Sequence, residues 1–297
     1  MTKKRHEQAI VVPAKTTNYT VKQPRFEFLH FSGSTRIIVS GKSGSGKSQL
    51  VHSMITNFFK GVWTAIYIVA RTAFLDGTYI SLREHAELHL GQNQKDSPFV
   101  FTDPSDPRLL EIFLEHEAKV KKEKAQRTAD KSKEPLSGIC WIFDDVSDDP
   151  QLKIREGLLP KIFTTGRHSS QSVICSVHKL TALSTMVRVN ASILCVFKIS
   201  ARIEMEKLTD EYAWLIGRDE FIEMYDIAAG NRAPKYSFLT IMALESDPNR
   251  TFYARFDQSL RVEDEEEEEP PEEAPEEAPF TQSASSNSSY VPTQTRR

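Results

Sequence analysis

Residues Gly41, Lys42, Ser43, Gly44, Ser45, Gly46, Lys47 and Ser48 spell G-x-x-x-x-G-K-S directly after the apolar run Thr35-Arg36-Ile37-Ile38-Val39-Ser40. In a loop of this spacing the glycines let successive backbone N–H groups turn inward onto phosphate oxygens. Lys47 supplies a point charge for the β and γ oxygens, and the Ser48 hydroxyl is placed to ligate Mg²⁺. Gln49 to Ile55 reads as the helix that follows, and its N-terminal dipole adds to the anion site. The expected ligands are ATP and Mg²⁺. No base-reading motif is evident, so ATP rather than GTP is an inference.

A second chemical motif is Ile139-Cys140-Trp141-Ile142-Phe143-Asp144-Asp145, an apolar run ending in two carboxylates. Asp144 is suited to hold Mg²⁺ beside Ser48, because a hard cation bridging phosphates takes oxygen ligands. Asp145 occupies the place of a base that orients and deprotonates an attacking water. Glu is usual there, and Asp is one methylene shorter. Either the strand end sits closer to the γ-phosphate, or Asp148 or Asp149 takes the role.

These groups need a scaffold. Five apolar runs read as strands: Thr35 to Ser40, Trp63 to Ala70, Ile139 to Phe143, Gln171 to Val177 and Ala191 to Ile199. Near-continuous Ile/Val/Phe runs suit strands covered on both faces, which predicts an α/β fold with a mainly parallel sheet flanked by helices. The segment from Pro107 to about Arg127 begins as a helix, and its Lys119-to-Arg127 part reads as an exposed helix or a mobile loop. Helices are expected near Gln151 to Phe163, at Arg202 to Tyr212 and at Glu220 to Ala229. A terminal hairpin is expected from Tyr236 to Leu244 and Phe252 to Phe256. The division expected is a mobile arm (1–30), one ATPase domain (31–260) and a disordered acidic and Ser-rich tail (261–297).

Composition agrees with that division. The chain has 297 residues, 39% of them hydrophobic, enough to bury a full α/β core. Cys140, Cys175 and Cys195 lie inside apolar runs and read as buried thiols of a reducing compartment. No run approaches the ~18 apolar residues of a membrane span, and Met1 to His6 lacks the apolar core of a signal peptide. A soluble, intracellular protein is expected. Residues 262–279 hold eleven Asp and Glu and no Lys or Arg, so with these set aside the net charge of −3 becomes +8. A basic body suits a polyanionic partner such as nucleic acid. No aromatic residues are interleaved with Lys and Arg, so sequence-specific base reading is not expected.

The order of motifs carries a resemblance. An apolar strand ending in Asp144-Asp145 is followed by a helix and Gly166-Arg167-His168. Then come a strand ending in His178, Met186-Val187-Arg188-Val189-Asn190 and a fifth strand. This order is similar to the FtsK/HerA-like DNA-pumping ATPases, and within them to the poxvirus-type genome-packaging ATPases of double-stranded DNA viruses. The likeness covers roughly Thr35 to Tyr212. It implies an additional-strand, RecA-like P-loop NTPase working as a homo-oligomeric ring on double-stranded DNA, with a capsid or portal protein as a further partner. It also implies an infected host cell, nucleus or cytoplasm, and association with the virion. His178 stands where such proteins commonly have a Gln that senses the γ-phosphate; a neutral imidazole can make that hydrogen bond, and an ordinary surface His fits the position as well. Arg167 and Arg188 are the candidates for an arginine reaching a neighbouring subunit's γ-phosphate, Arg167 preferred. A helicase or segregation ATPase, and a nucleotide-switched capsid-assembly protein with little turnover, are the alternative readings.

Overall fold

The computed structural model describes residues 19–24, 33–146 and 157–260. Most of the expected N-terminal arm, the alternative carboxylates Asp148 and Asp149, the first part of the helix expected from Gln151, and the acidic tail lie outside them.

Nine strands form one sheet in the order β3-β2-β4-β5-β1-β6-β7-β8-β9. The parallel part comprises β1 (Arg36–Ser40), β2 (Ala65–Ala70), β3 (Val100–Phe101), β4 (Ile139–Asp144), β5 (Gln171–Val177) and β6 (Ile193–Phe197). The antiparallel extension is β7 (Phe238–Met242), β8 (Phe252–Ala254) and β9 (Gln258–Ser259). All five expected strands form, with ends shifted by at most two residues, and the terminal hairpin is present. The two-residue β3 is too short to carry a periodic signal.

Seven α-helices are seen among the described residues: α1 (Lys47–Ser53), α2 (Gly77–Leu90), α3 (Pro107–Asp130), α4 (Leu158–Thr165), α5 (Thr185–Val189), α6 (Arg202–Tyr212) and α7 (Arg218–Ala228). Helix α1 runs on into a π-helical turn at Met54–Phe58. Asp76 caps α2 by accepting from the Thr78 N–H, and Asp106 caps α3 by accepting from the Arg108 N–H, with Pro107 opening the first turn. The Lys119-to-Arg127 segment is helical throughout, because α3 continues to Asp130 and ends on Lys131 in the left-handed region.

Both faces of the sheet are covered, as the unbroken apolar strands require. On one side Ile38, Trp141, Phe143, Val173 and Cys175 pack with Phe113 of α3, Phe163 of α4 and Phe221 of α7. On the other, Ile37, Val39, Ile68, Cys140 and Ile174 pack with Val51 of α1 and Leu82 of α2. The three cysteines are buried free thiols, in keeping with their place in apolar runs. Polar atoms inside this core find partners: Trp141 Nε1–H donates to Gln171 Oε1 at 2.9 Å, and Gln171 Nε2 donates to the Phe113 carbonyl at 3.0 Å.

One feature of the strand order positions the site. The strand leading into the phosphate loop, β1, is not adjacent to β4, which carries Asp144; β5 lies between them, in register with both. With strands ~4.8 Å apart, the carboxyl ends of β1 and β4 stand about 10 Å from each other. That gap leaves room for phosphates, and the end of β5 lies in its centre.

Candidate active site

The carboxyl ends of β1, β4 and β5 open onto a cleft of about 640 Å³ lined by Gly44, Lys47, Ser48, Asp144, Asp145 and His178, among others. The loop from Gly41 to Gly46 wraps its floor. Gly44 and Gly46 have φ of 71° and 106°, conformations in which a side chain is strained. Gly41 is needed for close approach: a Cβ there would lie 2.7 Å from Phe197 Cβ and 2.8 Å from Ser45 Oγ. Gly41→Ala is therefore expected to destabilise the fold by about 1–3 kcal/mol, read as a lower urea midpoint with unchanged slope.

Lys47, the first residue of α1, is buried. Its Nζ donates to the Lys42 carbonyl at 3.3 Å and meets His178 Nδ1 at 3.3 Å. Burial pushes its pKa down from the ordinary lysine range, while the nearby Asp145 and Asp144 pull it back up. His178 also reaches Asp145, with Nε2 and Oδ1 2.8 Å apart. An ammonium only donates, so His178 Nδ1 is the acceptor and Nε2 carries the proton that it donates to Asp145. Lys47, His178 and Asp145 thus form one hydrogen-bonded chain across the cleft. His178 lines the cleft with its side chain partly exposed.

Asp145 follows the last residue of β4 with φ of 52°, in the left-handed region that Asp tolerates better than most residues. Its N–H reaches the Ser176 carbonyl at 3.4 Å, tying the turn to β5. The turn leaves the carboxylate about half exposed in the cleft.

Asp144 is the opposite case, with 4% exposure. Burial raises its pKa above the ordinary 3.8, and Asp145 adds to the rise. The Ser176 and Tyr79 hydroxyls and Lys47 act against it. These hydroxyls close no hydrogen bond of ordinary geometry: Asp144 Oδ1, Tyr79 OH and Ser176 Oγ are all buried without a partner. Tyr79, on α2, is also held protonated, chiefly by burial and then by Asp144. A buried, under-compensated carboxylate beside Ser48 is what a divalent cation would satisfy, so Ser48 and Asp144 fit the expected Mg²⁺. Such an ion would neutralise phosphate charge.

The two arginines lie elsewhere. Arg167 is exposed on a 3₁₀ turn (Gly166–Ser169) before β5, near Arg36, whose pKa it helps to lower after burial. The whole of β5, about 20 Å at ~3.3 Å per residue, separates it from its own phosphate loop. His168 packs beside it and accepts Lys124 Nζ on its carbonyl at 2.7 Å. Arg188 is differently placed. It is buried, and each guanidinium nitrogen already has a partner in its own chain: Glu211, the Leu183 carbonyl and Thr185 Oγ1. It ties α5 to α6.

Sequence reading missed Tyr79 and Ser176 against Asp144, and Phe197, Tyr236 and Phe238 along the cleft wall. The Asp76 cap with Tyr79, Leu82 and Ala86 on one face of α2 was a signal available for the first.

Sheet order and cleft together define an additional-strand, RecA-like P-loop NTPase. The chain belongs to the poxvirus A32 protein family, whose sequence profile matches residues 26–267. This is the family that the motif order resembles. The protein is 22% identical over 220 residues to uncharacterized protein 075L of Invertebrate iridescent virus 6, covering 71% of this chain and 75% of that protein. Among solved structures it is similar to the genome packaging NTPase B204 of Sulfolobus turreted icosahedral virus 2 in complex with ATP-γS (15% identity, TM-score 0.47, 71% of this chain and 93% of the other). A further similarity is to the conjugation coupling protein TcpA of pCW3 with ATPγS (12% identity, TM-score 0.46, 72% and 59%). No helix among the described residues is long and apolar enough to cross a membrane.

Proposed function

We propose that this protein is an ATP-hydrolysing motor that moves double-stranded DNA and packages a viral genome into its capsid. The observation that carries the hydrolytic part is the Lys47–His178–Asp145 chain lying next to Asp144, whose buried Oδ1 has no partner. In this reading Asp145 accepts a hydrogen bond from a water in line with the γ-phosphorus and takes its proton as the new P–O bond forms. The bond to the β–γ bridging oxygen breaks, leaving ADP and inorganic phosphate. Lys47 turns from His178 to the β and γ oxygens when they arrive. His178 Nδ1 is then released, which couples phosphate occupancy to the group that orients Asp145.

The DNA part is supported by membership in the A32 family, by the packaging ATPases its motifs resemble, and by a body with eight net positive charges once the acidic stretch is set aside. A motor tracking phosphates needs no base reading. A homo-oligomeric ring, a capsid or portal partner and an infected-cell location complete the reading. In it Arg167 acts in trans, because it is exposed and far from its own site, and a cation there would stabilise transition-state charge next door.

The test is steady-state ATP hydrolysis with and without long linear duplex at several salt concentrations. Hydrolysis is expected to be stimulated by duplex of any sequence, to lose that stimulation steeply as salt rises, and to be absent in Lys47→Ala. Mixing Lys47→Ala with Arg167→Ala chains should restore activity, because each supplies what its neighbour lacks. ATP binding without duplex stimulation would overturn the motor and favour a nucleotide-switched assembly protein. Failure of the mixture alone would remove only Arg167.

A further inference from the structure

The triphosphate end of the cleft is accounted for by β1, β4 and β5, and the strand order decides where the rest of a nucleotide lies. Asp144, Asp145 and His178 all stand on the β4–β5 side of the phosphate loop and take the γ end. The nucleoside must therefore leave on the other side, toward β6 and β7. The cleft there is walled by Phe197, Phe238 and Tyr236.

These three aromatics differ in what they offer. Phe197 and Phe238 are buried, with ring centroids 5.1 Å apart, and form the floor. Tyr236 is 57% exposed and stands just ahead of β7. Its backbone has φ of 66°, a strained conformation for an aromatic residue, held in a turn where the Ser237 N–H donates to the Pro234 carbonyl at 3.1 Å. The ring reaches the phosphate loop: a Cβ built on Gly46 would lie 3.6 Å from Tyr236 Cδ1. It is shared between the main cleft and a neighbouring hollow of about 460 Å³ that also includes Gly44, Lys198, Asn231 and Lys235. Lys235 Nζ sits 4.8 Å from the ring centroid. The other exposed aromatic near the cleft, Phe74, follows β2 on the γ side, lies under Arg83 and does not line the cleft.

We infer that Tyr236 is the stacking platform for the nucleobase of the bound nucleoside triphosphate. This rests on the nucleotide-site reading above and adds the residue that holds the base. Every base offers a π face, so stacking on Tyr236 strengthens binding of ATP and GTP alike and does not choose between them.

Binding of ATP, GTP and inorganic tripolyphosphate, each with Mg²⁺, should be measured by titration calorimetry for the full chain, Tyr236→Phe and Tyr236→Gly. Glycine keeps the positive φ without strain, so this variant removes the ring and spares the turn. Tyr236→Gly is expected to bind ATP and GTP about ten- to a hundredfold more weakly and tripolyphosphate as the parent does; Tyr236→Phe should match the parent throughout. Unchanged ATP affinity in Tyr236→Gly, or equal losses for ATP and tripolyphosphate, would overturn the assignment while leaving the phosphate site standing. A parent chain that binds neither ATP nor tripolyphosphate would overturn the nucleotide-site reading and this one with it.

Discussion

A chain carrying Asp145→Asn is expected to bind ATP as tightly as the parent and to hydrolyse it about 10²- to 10⁴-fold more slowly. The amide cannot take a proton from water, but it keeps the size of the carboxylate and tolerates the left-handed backbone at φ 52°. His178 Nε2–H can still donate to the amide oxygen, so the chain from Lys47 is not broken. The loss is therefore confined to the chemical step. Calorimetric affinity together with single-turnover hydrolysis separates the two. A parallel fall in binding and turnover would mean that Asp145 supports the loop instead of acting on water. His178→Ala removes only the orienting donor, and its turnover should fall less than that of Asp145→Asn.

The left-handed turn immediately after β4 directs Asp145 into the cleft, and His178 reaches it from the end of β5 at 2.8 Å. Sequence shows two adjacent aspartates but not the sign of φ between strand and turn. That sign depends on a tertiary contact, the Asp145 N–H to the Ser176 carbonyl of the neighbouring strand.

The same distinction separates what was readable from what was not. The phosphate loop and its flanking strand and helix are contiguous in sequence, so spacing alone located them. The parallel core was legible because strands buried on both faces leave unbroken apolar runs, as in Ile139 to Phe143 and Gln171 to Val177. Arg188 illustrates the limit. A lone arginine before a strand looks the same in sequence whether exposed or buried, and its pairing with Glu211, twenty-three residues on, carries no local signal. The placement of Tyr79 and Tyr236 was illegible for a related reason, although the α2 pattern marks Tyr79 as a buried position. Each comes to the cleft from an element distant in sequence, α2 or the start of β7, and neither sits in a recognisable motif.

Asp144→Asn should raise the stability of the nucleotide-free chain while abolishing the gain from Mg²⁺ and ATP. The parent holds a buried carboxylate whose Oδ1 has no partner and whose pKa burial lifts above 3.8. A carboxyl with a raised folded-state pKa takes up a proton more readily folded than unfolded. Its destabilising effect is thus fully present above the raised value and relieved as the pH falls through that value toward 3.8. A neutral amide removes that effect. Lys47 loses one favourable neighbour in exchange, but Asp145, the larger of its two acidic influences, remains. The balance is expected to favour the variant by about 1–2 kcal/mol at pH 7, or a few degrees in Tm. Saturating Mg²⁺ and ATP reverse the order, because a ligand at about 100 times its Kd stabilises the parent by ~2.7 kcal/mol and the variant has lost a metal oxygen. Thermal denaturation of both chains, with and without Mg²⁺ and ATP, should show the two melting temperatures crossing. A parent more stable than the variant in the absence of ligand would mean that Tyr79, Ser176 and Lys47 already compensate the Asp144 charge, and that the carboxylate is not held in readiness for a cation.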